Sequence, residues 1–104
     1  MAHITGGGIE GNLCRVIPGG LSAKIDLSKI KILNLFKYIR NNGNISDDEM
    51  LRTFNCGVGF IIVTNQKDKK SVMKHVSQTY DCYEIGTIEK GDAKVAFDNR
   101  LEWV

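Results

Sequence analysis

Arg52-Thr53-Phe54-Asn55-Cys56-Gly57-Val58-Gly59 links a segment of helical character to a nearly continuous apolar run. Just upstream, Ser46-Asp47-Asp48-Glu49 reads as a capping box. Its Ser46 hydroxyl and Glu49 carboxylate would satisfy free amides reciprocally. Asp47, Asp48 and Glu49 therefore read as capping rather than catalytic, with Met50, Leu51 and Phe54 on the buried side of a short helix. Downstream, Val58 to Val63 is apolar and rich in β-branched residues, the pattern of a strand buried on both faces. Polar side chains just before such a strand are placed to line a cleft, and the glycines let its backbone approach a ligand. The alternative is a tight helix-to-strand crossing in which Asn55 satisfies local backbone. Cys56 has no evident base, so it reads as a packing thiol and not a nucleophile.

The flanking segments complete the pattern. Ile9 to Val16 spans about two helical turns before Pro18-Gly19-Gly20 stops it. Leu21, Ala23 and Ile25 alternate with Ser22, Lys24 and Asp26, as in a half-buried strand. Ser28 is a cap for a helix carrying Ile32, Leu35, Phe36 and Ile39 at helical spacing, which Asn42-Gly43 ends. Lys67 to Thr79 sets Val72, Met73 and Val76 against lysines, an amphipathic helix. Tyr83 to Ile88 reads as a strand, and Lys94 to Phe97 as its hairpin partner across Gly91-Asp92. Leu101 to Val104 carries no clear pattern. This mixed order predicts an α+β fold, a mixed or antiparallel sheet covered by helices.

Near the start stands Thr5-Gly6-Gly7-Gly8. Consecutive glycines lose much backbone freedom on folding, so a chain keeps them where it bends sharply or approaches something closely. Before a helix, free amides and the positive dipole end favour an anion. The run is either a loop that holds a phosphate or a flexible turn.

Composition limits the alternatives. The 104 residues suffice for one small domain, and 42% hydrophobic with 25% charged residues is ordinary for a globular protein. A formal charge of +2 does not argue for nucleic acid, and Lys67, Lys69, Lys70 and Lys74 read as a solvated helix face. No apolar run approaches the length of a membrane span. Cys14, Cys56 and Cys82 are widely spaced, and His3 lies far from His75, so no metal site is expected. The cysteines fit reduced thiols in a cytoplasmic protein.

Taken in order, His3-Ile4-Thr5-Gly6-Gly7-Gly8, Asn12 with Arg15-Val16-Ile17-Pro18, Gly43-Asn44-Ile45, and Glu49-Met50 with Arg52 to Gly59 resemble the aminoimidazole ribonucleotide synthetases. These enzymes are also called phosphoribosylformylglycinamidine cyclo-ligases. The similarity runs from residue 2 to about residue 88, and the Arg52 to Gly59 stretch is its most specific part. The glycine motif is shared more loosely with selenophosphate synthetase and formylglycinamidine ribonucleotide synthetase. The sequence departs from the family pattern at Gly11, where Glu is frequent, and at Cys14, Ile30, Leu33 and Leu51. The Gly11 departure bears on the loop; the others read as packing variation.

The resemblance implies that residues 1–104 are the C-terminal, substrate-side domain, incomplete at its N-terminal side, with the N-terminal ATP-binding domain absent from this sequence. It implies an ATP-driven ring closure of formylglycinamidine ribonucleotide to aminoimidazole ribonucleotide, giving ADP and phosphate. ATP phosphorylates the formyl-amide oxygen, an internal nitrogen attacks, and phosphate leaves as the imidazole forms. ATP and Mg²⁺ sites would lie mainly in the missing domain, so this chain alone is expected to be inactive. Thr5, Gly6, Gly7 and Gly8 are the expected anion loop, Thr53 and Asn55 its wall, and His3 a polar helper or a capping or core residue. A homodimer is implied for the full enzyme. Missing elements would leave an open strand edge, and hence self-association of this chain. Two other readings stand beside it: another ATP-dependent member of the superfamily, or a non-catalytic remnant that binds an anion or a partner.

Overall fold

In the computed structural model, which describes residues 1–103, the chain forms an α+β fold. Its strands are β1 (Ala2–His3), β2 (Leu21–Asp26), β3 (Phe60–Ile61), β4 (Gly86–Lys90) and β5 (Val95–Asp98). Its helices are α1 (Gly8–Leu13), α2 (Asn34–Gly43), α3 (Asp47–Thr53) and α4 (Lys69–Val76). β1 and β3 pair antiparallel as a small two-stranded sheet. The larger sheet has the order β4-β2-β5.

β2 follows the expected alternation only over Ala23 to Ile25, because Ser22 is buried as well and Leu21 is half-buried. Ala23 and Ile25 are buried, whereas Lys24 is exposed and lies 3.8 Å from Glu89 and 3.6 Å from Asp98 on the solvent face. The expected hairpin between the last two strands does not form. β2 lies between them, antiparallel to β4 and parallel to β5. The strands flanking β2 are about 10 Å apart, and the short connection after Lys90 has the reach to cross that distance. It passes over the end of β2, where Gly91 N–H donates to Gly20 O at 3.2 Å and Ala23 N–H to Lys94 O at 2.8 Å.

The other elements are shorter or shifted from the sequence pattern. α1 ends at Leu13, but tighter turns carry the coil on: Val16 N–H bonds Leu13 O at 3.0 Å. Ser28 does not cap α2. It sits in a 3-10 turn, Leu27–Lys29, and donates through N–H and hydroxyl to Asp26. Hydrogen bonds from Asn99 and Ser28 hold the half-buried Asp26 carboxyl below its ordinary range. Ile30 and Ile32 are buried from an extended segment, and Leu35 of α2 is exposed. α2 does end at Gly43, with Asn44 in the left-handed conformation, φ 50°.

The strand expected to be buried on both faces is also different. Only Phe60 and Ile61 pair, and Phe60, Ile62 and Val63 are exposed. β1 offers just two residues before the chain turns away, so pairing stops early. α4 buries Val72, Met73 and Val76 only partly, and a Lys69–Glu84 contact of 3.1 Å ties it to the segment before β4. Between α4, β3 and the β2–β4 face runs an open apolar groove of about 1120 Å³. No helix of the described residues is long and apolar enough to cross a membrane.

Ile4, Ile9, Leu13, Met50 and Cys56 are the most deeply buried large side chains. They belong to α1, α3 and the segments next to them. The deepest burial therefore lies next to the glycine loop.

Candidate functional site

The loop begins where β1 stops. Ile4 N–H still bonds Gly59 O at 2.8 Å, and its side chain is anchored in the core. The chain then turns, with Gly8 N–H donating to Thr5 O at 3.1 Å. Gly7 and Gly8 adopt φ of 99° and 68°, the left-handed region where glycine carries no steric penalty. Gly8 has a second constraint: a β-carbon there would sit on the Leu51 carbonyl oxygen and 3.2 Å from Phe54 O. So α1 crosses α3 in direct backbone contact, which only glycine permits.

A residue that the sequence pattern left without a role organises this turn. Asn12, on α1, is 6% exposed. Its Nδ2 lies 2.7 Å from Gly8 O, 3.2 Å from Thr5 O and 3.3 Å from Gly6 O, and its Oδ1 accepts from the Thr5 hydroxyl at 3.2 Å. The amide has only two hydrogens for three carbonyls, so the Gly8 bond is the firm one. Every peptide here is trans, and a trans peptide points its N–H opposite to its C=O. With the Thr5 and Gly6 carbonyls turned toward Asn12, the amides of Gly6 and Gly7 turn outward. Among the described residues neither has a partner. In the sequence Asn12 is one polar position between Ile9 and Leu13, and nothing there marks it as buried.

Asn55 closes one side of the loop. Its Oδ1 accepts from Gly57 N–H at 2.9 Å, and its Nδ2 donates to Ile4 O at 3.3 Å. The first bond is the local backbone satisfaction that one reading of the turn anticipated. The second ties the turn after α3 to the root of the glycine loop. Thr53 is exposed, and its hydroxyl donates to Glu49 Oε1 at 3.2 Å. The other Glu49 oxygen pairs with Arg52 at 3.2 Å. Ser46 Oγ does accept from Glu49 N–H at 3.3 Å, but the Glu49 carboxylate serves Arg52 and Thr53 and not the return arm of a capping box.

His3 stands apart from this group. It is exposed, and its ring stacks on Phe60 with centroids 5.0 Å apart and planes 13° from parallel. It neither caps a helix nor enters the core. Cys56 is fully buried, at φ 55°, with its Sγ 3.9 Å from Met50 O. Burial, and secondarily the Asp47 charge, push its thiol up to about 11. A thiol kept protonated at neutral pH is a packing group, not a nucleophile.

The structure thus brings Thr5, Gly6, Gly7, Gly8 and Asn55 together, sets Thr53 on the outer end of α3, and leaves His3 on another surface. A domain model described as "AIR synthase related protein, C-terminal domain" matches residues 1–99. The chain belongs to this family. Among relatives of the AIR synthase C-terminal domain here, a phosphoribosylformylglycinamidine cyclo-ligase of Brevibacillus brevis is 38% identical over 104 residues, covering 99% of this chain and 30% of its own. A cyclo-ligase of the same name from Staphylococcus epidermidis is 42% identical over 93 residues, covering 88% of this chain and 27% of its own. A trifunctional purine biosynthetic protein of Gallus gallus is 38% identical over 104 residues, covering 97% of this chain and 10% of its own. The chain therefore spans less than a third of the length of each of these relatives. Among the described residues, no group of three or more His, Cys, Asp or Glu side chains gathers where it could hold a metal ion.

Proposed function

We propose that this chain is the substrate-side piece of a phosphoribosylformylglycinamidine cyclo-ligase, and that Thr5 to Gly8 holds the phosphate or another anionic group of the ribonucleotide. The supporting observation is the inward turn of the Thr5 and Gly6 carbonyls onto Asn12, which leaves the Gly6 and Gly7 amides facing outward. Outward amides at a helix start suit an anion, and a preset loop spends no reorganisation on binding it. Asn55 keeps the root of the loop in place, and Thr53 stands at the rim. ATP and Mg²⁺ are assigned to parts of the whole enzyme beyond these 104 residues, and the chain sits in the cytoplasm.

The test is made in the whole enzyme. Gly7→Val is expected to raise KM for formylglycinamidine ribonucleotide about 10- to 100-fold, the loss of one or two hydrogen bonds to a charged group. A β-carbon at Gly7 has room, its nearest neighbour lying 3.8 Å away, but a branched side chain at φ 99° strains the loop by about 1–3 kcal/mol, so the fold of the variant is checked by circular dichroism beside KM. The 104-residue chain, run in the same assay, should release no ADP. An unchanged KM with a folded variant would remove the phosphate loop.

The same reading gives the full enzyme a homodimer and this chain a tendency to self-associate. Exposed Phe60, Ile62, Val63 and Tyr80 border or line the open groove and support it. Light scattering at high concentration should show species larger than the monomer; a clean monomer would count against this.

A further inference from the structure

Past the family match, the last described residues fold back onto the helices. Leu101 is 5% exposed and joins the core. Trp103 Nε1–H donates to Asp47 Oδ1 at 2.9 Å, at the first residue of α3. The Arg40 guanidinium, from α2, lies over the same indole with its Cζ 4.7 Å from the ring centroid. Arg40 Nε is 3.4 Å from Asp47 Oδ1, close enough for an ion pair, yet it has no well-directed hydrogen bond. Arg40 is held by charge, by an Nη1–H bond to Asn41 Oδ1 at 3.4 Å and by the ring face, a contact that strengthens when partly desolvated. One side chain thus bridges the end of α2 and the start of α3.

The consequence runs along α3. Its other end carries the Leu51 carbonyl against which Gly8 packs. Between the two lies Cys56, fully buried, with its sulfur on Met50 O. We propose that Leu101–Trp103 is a latch that pins the start of α3 to the end of α2, and that releasing it frees α3 to move and uncovers Cys56. The latch is a conformational device of this fold and does not depend on the phosphate-loop reading.

The test uses the full chain with Cys14 and Cys82 replaced by serine, leaving Cys56 as the reporter. N-ethylmaleimide labelling of folded protein is followed at fixed pH and rising urea. Trp103→Ala is expected to speed labelling roughly tenfold, the loss of one hydrogen bond to a charged group. The faster rate should depend weakly on urea, because a local opening exposes little surface. Trp103→Phe keeps a ring for Arg40 and loses only the N–H, so it should fall between parent and Trp103→Ala. It also serves as the deciding variant if Trp103→Ala does not fold. Unchanged labelling in Trp103→Phe and Trp103→Ala overturns the latch. So does an acceleration that carries the full urea dependence of global unfolding, since that would make Trp103 an ordinary stabilising contact.

Discussion

Gly8→Ala is expected to destabilise the chain by about 3 kcal/mol or more and to lower its urea midpoint sharply. Two penalties act together. A side chain at φ 68° adds strain of about 1–3 kcal/mol. The new β-carbon also meets backbone, namely the Leu51 carbonyl group and Phe54 O, which cannot rotate away as a side chain can. Relief requires α1 and α3 to separate, and that separation would open the packing of Ile9, Leu13, Met50 and Cys56. Small domains hold only about 5–15 kcal/mol in total, so the loss is a large fraction. The control is Gly6→Ala: nothing lies within 4 Å of a β-carbon there, and its change should stay within about 0.5 kcal/mol. Urea unfolding followed by circular dichroism measures both. Equal midpoints for the two variants would show that α1 and α3 do not meet as closely as described.

Local chemistry was legible where one segment decides its own conformation. The alternation of Leu21 to Asp26 places Ala23 and Ile25 inward, and the Ser46 cap forms as its spacing requires. The glycine run and the Arg52 to Gly59 turn also meet in space through the Asn55–Ile4 bond. Sequence adjacency misled where pairing is non-local. Gly91-Asp92 has the composition of a hairpin turn, but both flanking strands gain more by pairing with β2 from either side. Ile32 fits a helical spacing with Leu35 and Phe36. It equally fits the two-residue alternation of buried Ile30 and Ile32 with exposed Lys31 and Leu33, and the extended form is adopted. The central residue of the site was illegible for a related reason. An Asn on a short helix counts as a polar position in any periodicity, and only the folded loop shows its amide enclosed by carbonyls.

Asn12→Asp should therefore be the most damaging isosteric change in the chain. The side chain keeps its shape and loses both donors. A carboxylate would face the oxygens of Gly8, Thr5 and Gly6 in a site that is 6% exposed in the parent. Leaving those carbonyls unpaired and burying an uncompensated charge costs about 3–5 kcal/mol. The pH dependence identifies the cause. Burial and the surrounding carbonyls disfavour the ionised form, so the introduced group has a folded pKa above its unfolded one. A raised folded pKa means that folding takes up a proton. The penalty is therefore complete at neutral pH and shrinks as pH falls toward about 4, where the protonated acid can donate to Gly8 O. Urea midpoints of parent and variant should converge on acidification and separate on return to pH 7. In the whole enzyme at pH 7 the released Gly6 and Gly7 amides should also raise KM for the ribonucleotide, as in Gly7→Val but with a larger and pH-dependent loss of stability. If the variant matches the parent at pH 7, Asn12 does not hold the carbonyls inward, and the outward amides on which the phosphate loop rests lose their support.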